Sequence, residues 1–141
     1  MMIHKSTALI VLALIVPRAF LRVGAKLPAP LPGTKLEQFA GKVMHYLLYG
    51  LLVAMPVTGV AMGVVGGRGI PFYGLFTIPG WADPNKQVAG AFFYVHKNLG
   101  TVLEVAVPLH IGAVGYHLFK GQNILRRMGV GSSNVPKIKP A

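Results

Sequence analysis

Hydrophobic residues fill three long stretches of this chain, and glycine, proline and charge make up the breaks between them. The first stretch, about Ile3 to Leu21, is just long enough to cross a hydrocarbon layer as a helix; Pro17 falls near its end, where fewer internal hydrogen bonds are lost. The second, about Val43 to Val65, carries Pro56 and Gly59, a pair that a spanning helix tolerates when neighbouring helices satisfy the freed backbone. The third, about Phe92 to Phe119, is expected to kink or open at Pro108. Between the first two, GAKLPAPLPGT spaces three prolines as a stiff extended connector. Between the last two, residues 66–91 mix Gly, Pro and aromatics, which suits an ordered loop with Phe72, Tyr73, Phe76 and Trp81 at headgroup level. The pattern predicts an all-α transmembrane bundle of three spans (about 3–21, 43–65 and 92–119), one domain over 1–128, and a basic, flexible tail over 129–141.

Composition agrees with a membrane solvent: 53% of the 141 residues are hydrophobic, 12% are charged, and the mean hydropathy is +0.58. The 14 Lys and Arg against 3 Asp and Glu would fit nucleic acid if they formed one basic block, but they lie beside the apolar runs and read as topology determinants. Ten of them flank the first connector or fall in the tail: Arg18, Arg22, Lys26, Lys35, Lys42, Lys120, Arg126, Arg127, Lys137 and Lys139. Lys5, Arg68, Lys86 and Lys97 fall on the other side, so the connector and C-terminus are expected on the cytoplasmic, matrix or stromal face and the N-terminus outside. The first span lacks a small-x-small cleavage site and is read as retained rather than as a signal peptide. With no cysteine, the chain by itself offers no disulfide, thiolate metal site or iron-sulfur cluster.

The candidate chemistry is histidine inside grease. On the third span His96, His110 and His117 stand 14 and 7 residues apart, which places them within about 60° of one another around a helix axis. The 14-residue step climbs about 21 Å, most of the hydrocarbon thickness. His4 opens the first span at the depth of His96, and His45 opens the second near the depth of His117. Two imidazoles at one depth on neighbouring helices are what a bis-histidine haem needs, and ionisable groups inside spans usually face the bundle interior. Gly100, Gly112, Ala113 and Gly115 leave room for a porphyrin or a helix to approach closely. The blander reading of His45 and His117, as interfacial anchors, carries equal weight. Glu104 points about 80° off the histidine stripe, a poor place for an iron ligand, and its role stays open between a cross-helix hydrogen bond, a proton relay and a cation partner. Met44, Met55 and Met62 read as packing. A transporter is disfavoured, since there is no inverted repeat or pair of broken helices.

The ordered set HKSTALIVLALIVPRAFLR, HYLLYGLLVAMPVTGVAMG, HKNLG, LHIGAVGYH and NILRRM resembles the bacterial-type cytochrome b-561 family over about Ile3 to Met128. That resemblance implies a four-helix membrane protein with two b-type haems that passes electrons between a quinone pool and another acceptor. It matches His4 to the ligand opening the family's second helix, and His96 and His110 to the two ligands of its fourth. His45 and His117 match recurrent positions nearer the inner surface, as inner-side haem or quinone contacts, with Arg18 and Arg22 close by. The family's first helix, which carries the histidine that would face His110, has no counterpart in these residues. It is supplied by another chain, belongs to a longer sequence, or has been lost together with the second haem. The resulting expectation is an electron carrier of a bacterial inner, mitochondrial inner or thylakoid membrane, with one haem at His4 and His96 and a second site at His110. Its partners are lipid, a quinone and further membrane subunits. The alternative from another class is a haem-free structural subunit of a respiratory or photosynthetic complex.

Overall fold

The computed structural model describes residues 1–25, 31–122 and 124–125, and consists of three long helices and one short hairpin: α1 (Met2–Gly24), α2 (Lys35–Val65), β1 (Ile70–Phe72), β2 (Phe76–Ile78) and α3 (Lys86–Phe119). All three helices are long and apolar enough to cross a membrane. The chain divides into two compact units, Met1–Ala106 and Val107–Ala141. Residues 26–30 of the proline connector, the 129–141 tail, and Lys26, Arg126, Arg127, Lys137 and Lys139 lie outside the described residues.

The helices outrun the apolar stretches that predict them, and capping chemistry is the reason. α2 begins at Lys35 because Thr34 and Glu37 form a capping box: the Thr34 hydroxyl accepts from the Glu37 N–H at 3.2 Å, and the Glu37 carboxylate accepts from the Thr34 N–H at 2.9 Å. α3 begins at Lys86 because the Asn85 side chain accepts from the Val88 N–H at 3.0 Å. α1 continues past Leu21 to Gly24, so Pro17 is interior. α3 likewise runs through Pro108 as one helix, and the boundary between the compact units falls just before that proline.

The segment expected as an ordered loop holds an antiparallel hairpin that pairs Ile70 with Ile78, Pro71 with Thr77 and Phe72 with Phe76. Its turn closes by a 2.8 Å bond from Leu75 N–H to Phe72 C=O, with Tyr73 at φ 45° and Gly74 at φ 79°. Two successive left-handed residues give the twist that a tight hairpin needs. The loop also completes α2, whose last carbonyls would otherwise lack partners. Gly69 N–H donates to Gly63 C=O at 3.0 Å, Trp81 N–H to Val64 C=O at 2.9 Å, and Asn85 N–H to Val65 C=O at 3.0 Å. Gly80 permits that return, since a Cβ there would lie 2.5 Å from the Gly67 backbone.

In the first unit Leu51, Ile70, Val65 and Ala106 are buried, while most large apolar side chains of the helices face outward. That inversion of a soluble core is what a lipid solvent requires, because apolar side chains there lose nothing by exposure. In the second unit α3 ends in a Schellman turn: Gln122 N–H reaches His117 C=O at 3.0 Å, Gly121 N–H reaches Leu118 C=O at 2.9 Å, and Gly121 has φ 74°.

Candidate functional site

The first unit brings His4 of α1 and His96 of α3 together, with ring centres 6.2 Å apart and planes 80° apart. Four observations define this place.

The first is the spacing. An iron between two imidazoles has metal–nitrogen bonds of about 2.0–2.1 Å. Ring bonds of about 1.33 Å set each ring centre roughly 1.1 Å behind its bonded nitrogen. Opposed rings then have centres roughly 6.3 Å apart. The observed ring-centre spacing is close to that value. Among the described residues no three His, Asp or Glu side chains gather to hold a bare metal ion. A donor set of two imidazoles suits an iron whose remaining positions come from a macrocycle.

The second is the tautomer of His96. Thr58 of α2 is buried, and its hydroxyl lies 2.7 Å from Ala54 C=O, 3.0 Å from Met55 C=O and 3.0 Å from His96 Nδ1. A hydroxyl has one proton, and the two carbonyls can only accept; with that proton on the backbone of α2, the oxygen is free to accept from His96 Nδ1–H. The lone pair of the ring is thereby on Nε2.

Close approach is the third. A Cβ on Gly59 would stand 3.1 Å from His96 Cε1 and 3.5 Å from Nδ1, so the imidazole rests against α2 where that helix has no side chain.

The fourth is a strap across the start of α1. Ser6, fully buried, donates to Met2 C=O at 2.9 Å and to Pro71 C=O at 3.1 Å, and accepts from Tyr73 N–H at 2.8 Å. Lys5 Nζ donates to Gly69 C=O at 3.2 Å, and the Thr7 and Tyr73 hydroxyls are 2.9 Å apart. The three residues after His4 thus tie the hairpin to the helix that carries it.

His45 stands exposed in the first part of α2. His110 is half-buried on the part of α3 within the second unit. His117 bonds through Nδ1 to the Gln122 side chain at 2.7 Å, inside the turn that ends its own helix, and Lys120 Nζ lies 5.1 Å from the ring centre of neighbouring Tyr116. Glu104 is exposed on α3. At the far end of α1 from His4, α1 and α2 border an open cleft of about 240 Å³ lined by Ile15, Arg18, Ala19, Arg22, Tyr46 and Tyr49 among others, with Arg22 5.8 Å from the Tyr49 ring centre.

Sequence reasoning missed Thr58, Gly59 and Ser6. The signal for Thr58 lay in MPVTG: a hydroxyl beside a glycine in an apolar span must satisfy itself against its own backbone or another helix.

A profile of the prokaryotic cytochrome b561 family matches residues 1–131. Cytochrome b561 homolog 2 of Escherichia coli (strain K12) is 30% identical over 138 residues, covering 94% of this chain and 72% of that protein. Cytochrome b561 homolog 1 of the same organism is 24% identical over 128 residues, covering 89% and 72%. Matched along nearly its whole length, and folded into membrane-length helices that bring two imidazoles together, the chain belongs to the prokaryotic cytochrome b561 family of membrane proteins that carry electrons on b-type haem.

Proposed function

We propose that this chain is a membrane electron-transfer subunit that holds one b-type haem between His4 and His96. The observation that carries the reading is the facing pair of rings from two helices, 6.2 Å apart, with the Nε2 of His96 left as its lone-pair nitrogen by Thr58. Bound haem supplies a one-electron iron centre whose potential follows its axial ligands, burial and nearby charge. The chain's own work is positional. His4 and His96 approach from separate helices, Gly59 lets the His96 ring lie close to α2, and Ser6 fastens the hairpin beside His4.

His110 is proposed as a ligand of a second haem, with the opposing imidazole supplied by a further membrane helix in a larger complex. The apolar cleft beside Arg18, Arg22, Tyr46 and Tyr49 is proposed as the place of a quinone, whose ring and isoprenoid chain suit its apolar walls. His45 and His117 are proposed to border that inner side. The excess of Lys and Arg near the first connector and C-terminus supports an orientation with the N-terminus outside, and an energy-transducing membrane is proposed as the place of such an electron carrier.

The test is haem content per chain with a reduced-minus-oxidised spectrum of the purified protein. Loss of one haem per chain, with its share of the b-type α band, is expected in both His4→Ala and His96→Ala, while a wild-type spectrum without any haem band overturns the carrier reading in favour of a structural subunit. Two haems per chain, falling to one in His110→Ala, is the result expected of the second site.

A further inference from the structure

We infer that Thr58 is a positioning residue: by accepting the Nδ1 proton of His96 it fixes which ring nitrogen faces the iron and makes that nitrogen a stronger donor, lowering the reduction potential of the haem. The inference rests on the reading that His96 binds iron, and adds to it a residue on a helix that supplies no ligand to that iron.

The argument begins with proton counting. The Thr58 oxygen has three neighbours within 3.0 Å, of which Ala54 C=O and Met55 C=O have no proton to give. With two acceptors of its own helix in reach, the nearer at 2.7 Å, the hydroxyl proton is assigned to α2, and in that assignment the contact with His96 runs from Nδ1–H to Oγ1. Thr58 is buried, so no water competes for its oxygen and the choice is held at all times. Gly59 then leaves out the Cβ that would stand 3.1 Å from His96 Cε1, so two successive residues admit the ring: one offers a hydroxyl to Nδ1 and the other has no side chain beside Cε1. A threonine that satisfies its hydroxyl on its own helix needs no outside partner. The further contact with His96 across 38 residues is what the packing of α2 against α3 adds.

The electronic consequence follows from ligand chemistry. An imidazole whose distal N–H is hydrogen-bonded carries more electron density on the ligating nitrogen. The ferric iron, more highly charged, gains more from this than the ferrous, so the oxidised form is favoured. Removing the acceptor weakens iron binding about 10- to 100-fold by analogy with other histidine-supporting partners. Each tenfold loss in the preference for ferric iron raises the potential by about 59 mV for a one-electron couple.

The experiment uses the full chain in membranes and compares Thr58→Val, Thr58→Ala and Thr58→Ser for haem per chain and midpoint potential, with His96→Ala as reference. We expect both hydroxyl-free variants to raise the potential and shed haem on washing, and serine to stay near the wild type. If His96→Ala keeps its haem, the ligand reading itself has failed. If His96→Ala loses haem while Thr58→Val and Thr58→Ala keep the wild-type potential, the ligand reading stands and this inference is overturned. A measurement on the unmutated protein guards against variants that fail to fold. With histidine labelled by nitrogen-15, a slowly exchanging Nδ1 proton of His96 that shows a cross-peak to the Thr58 side chain is expected, and its absence overturns the inference equally.

Discussion

His96 and His117 stand on one helix, and each has its Nδ1 bonded to an oxygen, yet the two bonds do opposite things. The partner of His96 is Thr58, 38 residues away on another helix; the partner of His117 is Gln122, five residues on, in the turn that ends α3. A local bond travels with its helix and holds an end together. A bond from a second helix fixes the ring in the frame of the bundle, the condition for meeting a third group such as His4 from α1. Spacing along a helix, which sets both histidines on one stripe, cannot tell these cases apart; the identity of the partner can.

Three experiments would break or sharpen that contrast, beginning with the largest effect. Replacing His96 by alanine should abolish the haem assigned to His4 and His96, whereas His117→Ala should leave its occupancy unchanged, as measured by haem extraction per chain. Equal losses from the two variants would erase the distinction. Next, Ser6→Ala removes a buried hydroxyl that serves Pro71 C=O and Tyr73 N–H, and should cost about 1–3 kcal/mol of local stability at the hairpin. Amide exchange at Tyr73 should quicken accordingly, and protection equal to wild type would show that the strap does not depend on this residue. The smallest effect is expected from Gln122→Ala, about 0.5–1.5 kcal/mol at a helix end already closed by two backbone bonds. Its thermal midpoint should fall slightly with no change in the haem spectrum, and a spectral change would reveal that His117 answers to more than its own turn.

What could be read from the sequence follows the range of the forces involved. Hydropathy and length are local properties, so three spans and an all-α membrane bundle were visible, as was the common depth of His4 and His96. The helix ends were misjudged because Thr34, Glu37 and Asn85 carry α2 and α3 beyond their apolar stretches; capping is also local, and its S/T-x-x-E sign was there in TKLE. The hairpin was hidden because strands of three residues, one with a proline, give no alternating pattern, and because Ser6, some 65 residues earlier in the chain, ties it down. The Thr58–His96 bond belongs to the same class: His96 stands out in the sequence but Thr58 does not, and only tertiary packing pairs them. Sequence already set His45 and His117 apart as equally readable interfacial anchors, and the bond of His117 to Gln122 is the detail that the structure adds.

Asn85 has a consequence for how the protein keeps its measurements. Its N–H closes the last carbonyl of α2 while its side chain opens α3, so the 19 residues from Gly66 to Pro84 form an excursion whose two feet are bolted together. The register between Thr58, seven residues before one foot, and His96, eleven after the other, is set by that joint and by the fixed rise of two helices. The joint therefore separates two duties of one segment: its feet align the threonine with the imidazole it serves, while the hairpin between them fastens α1.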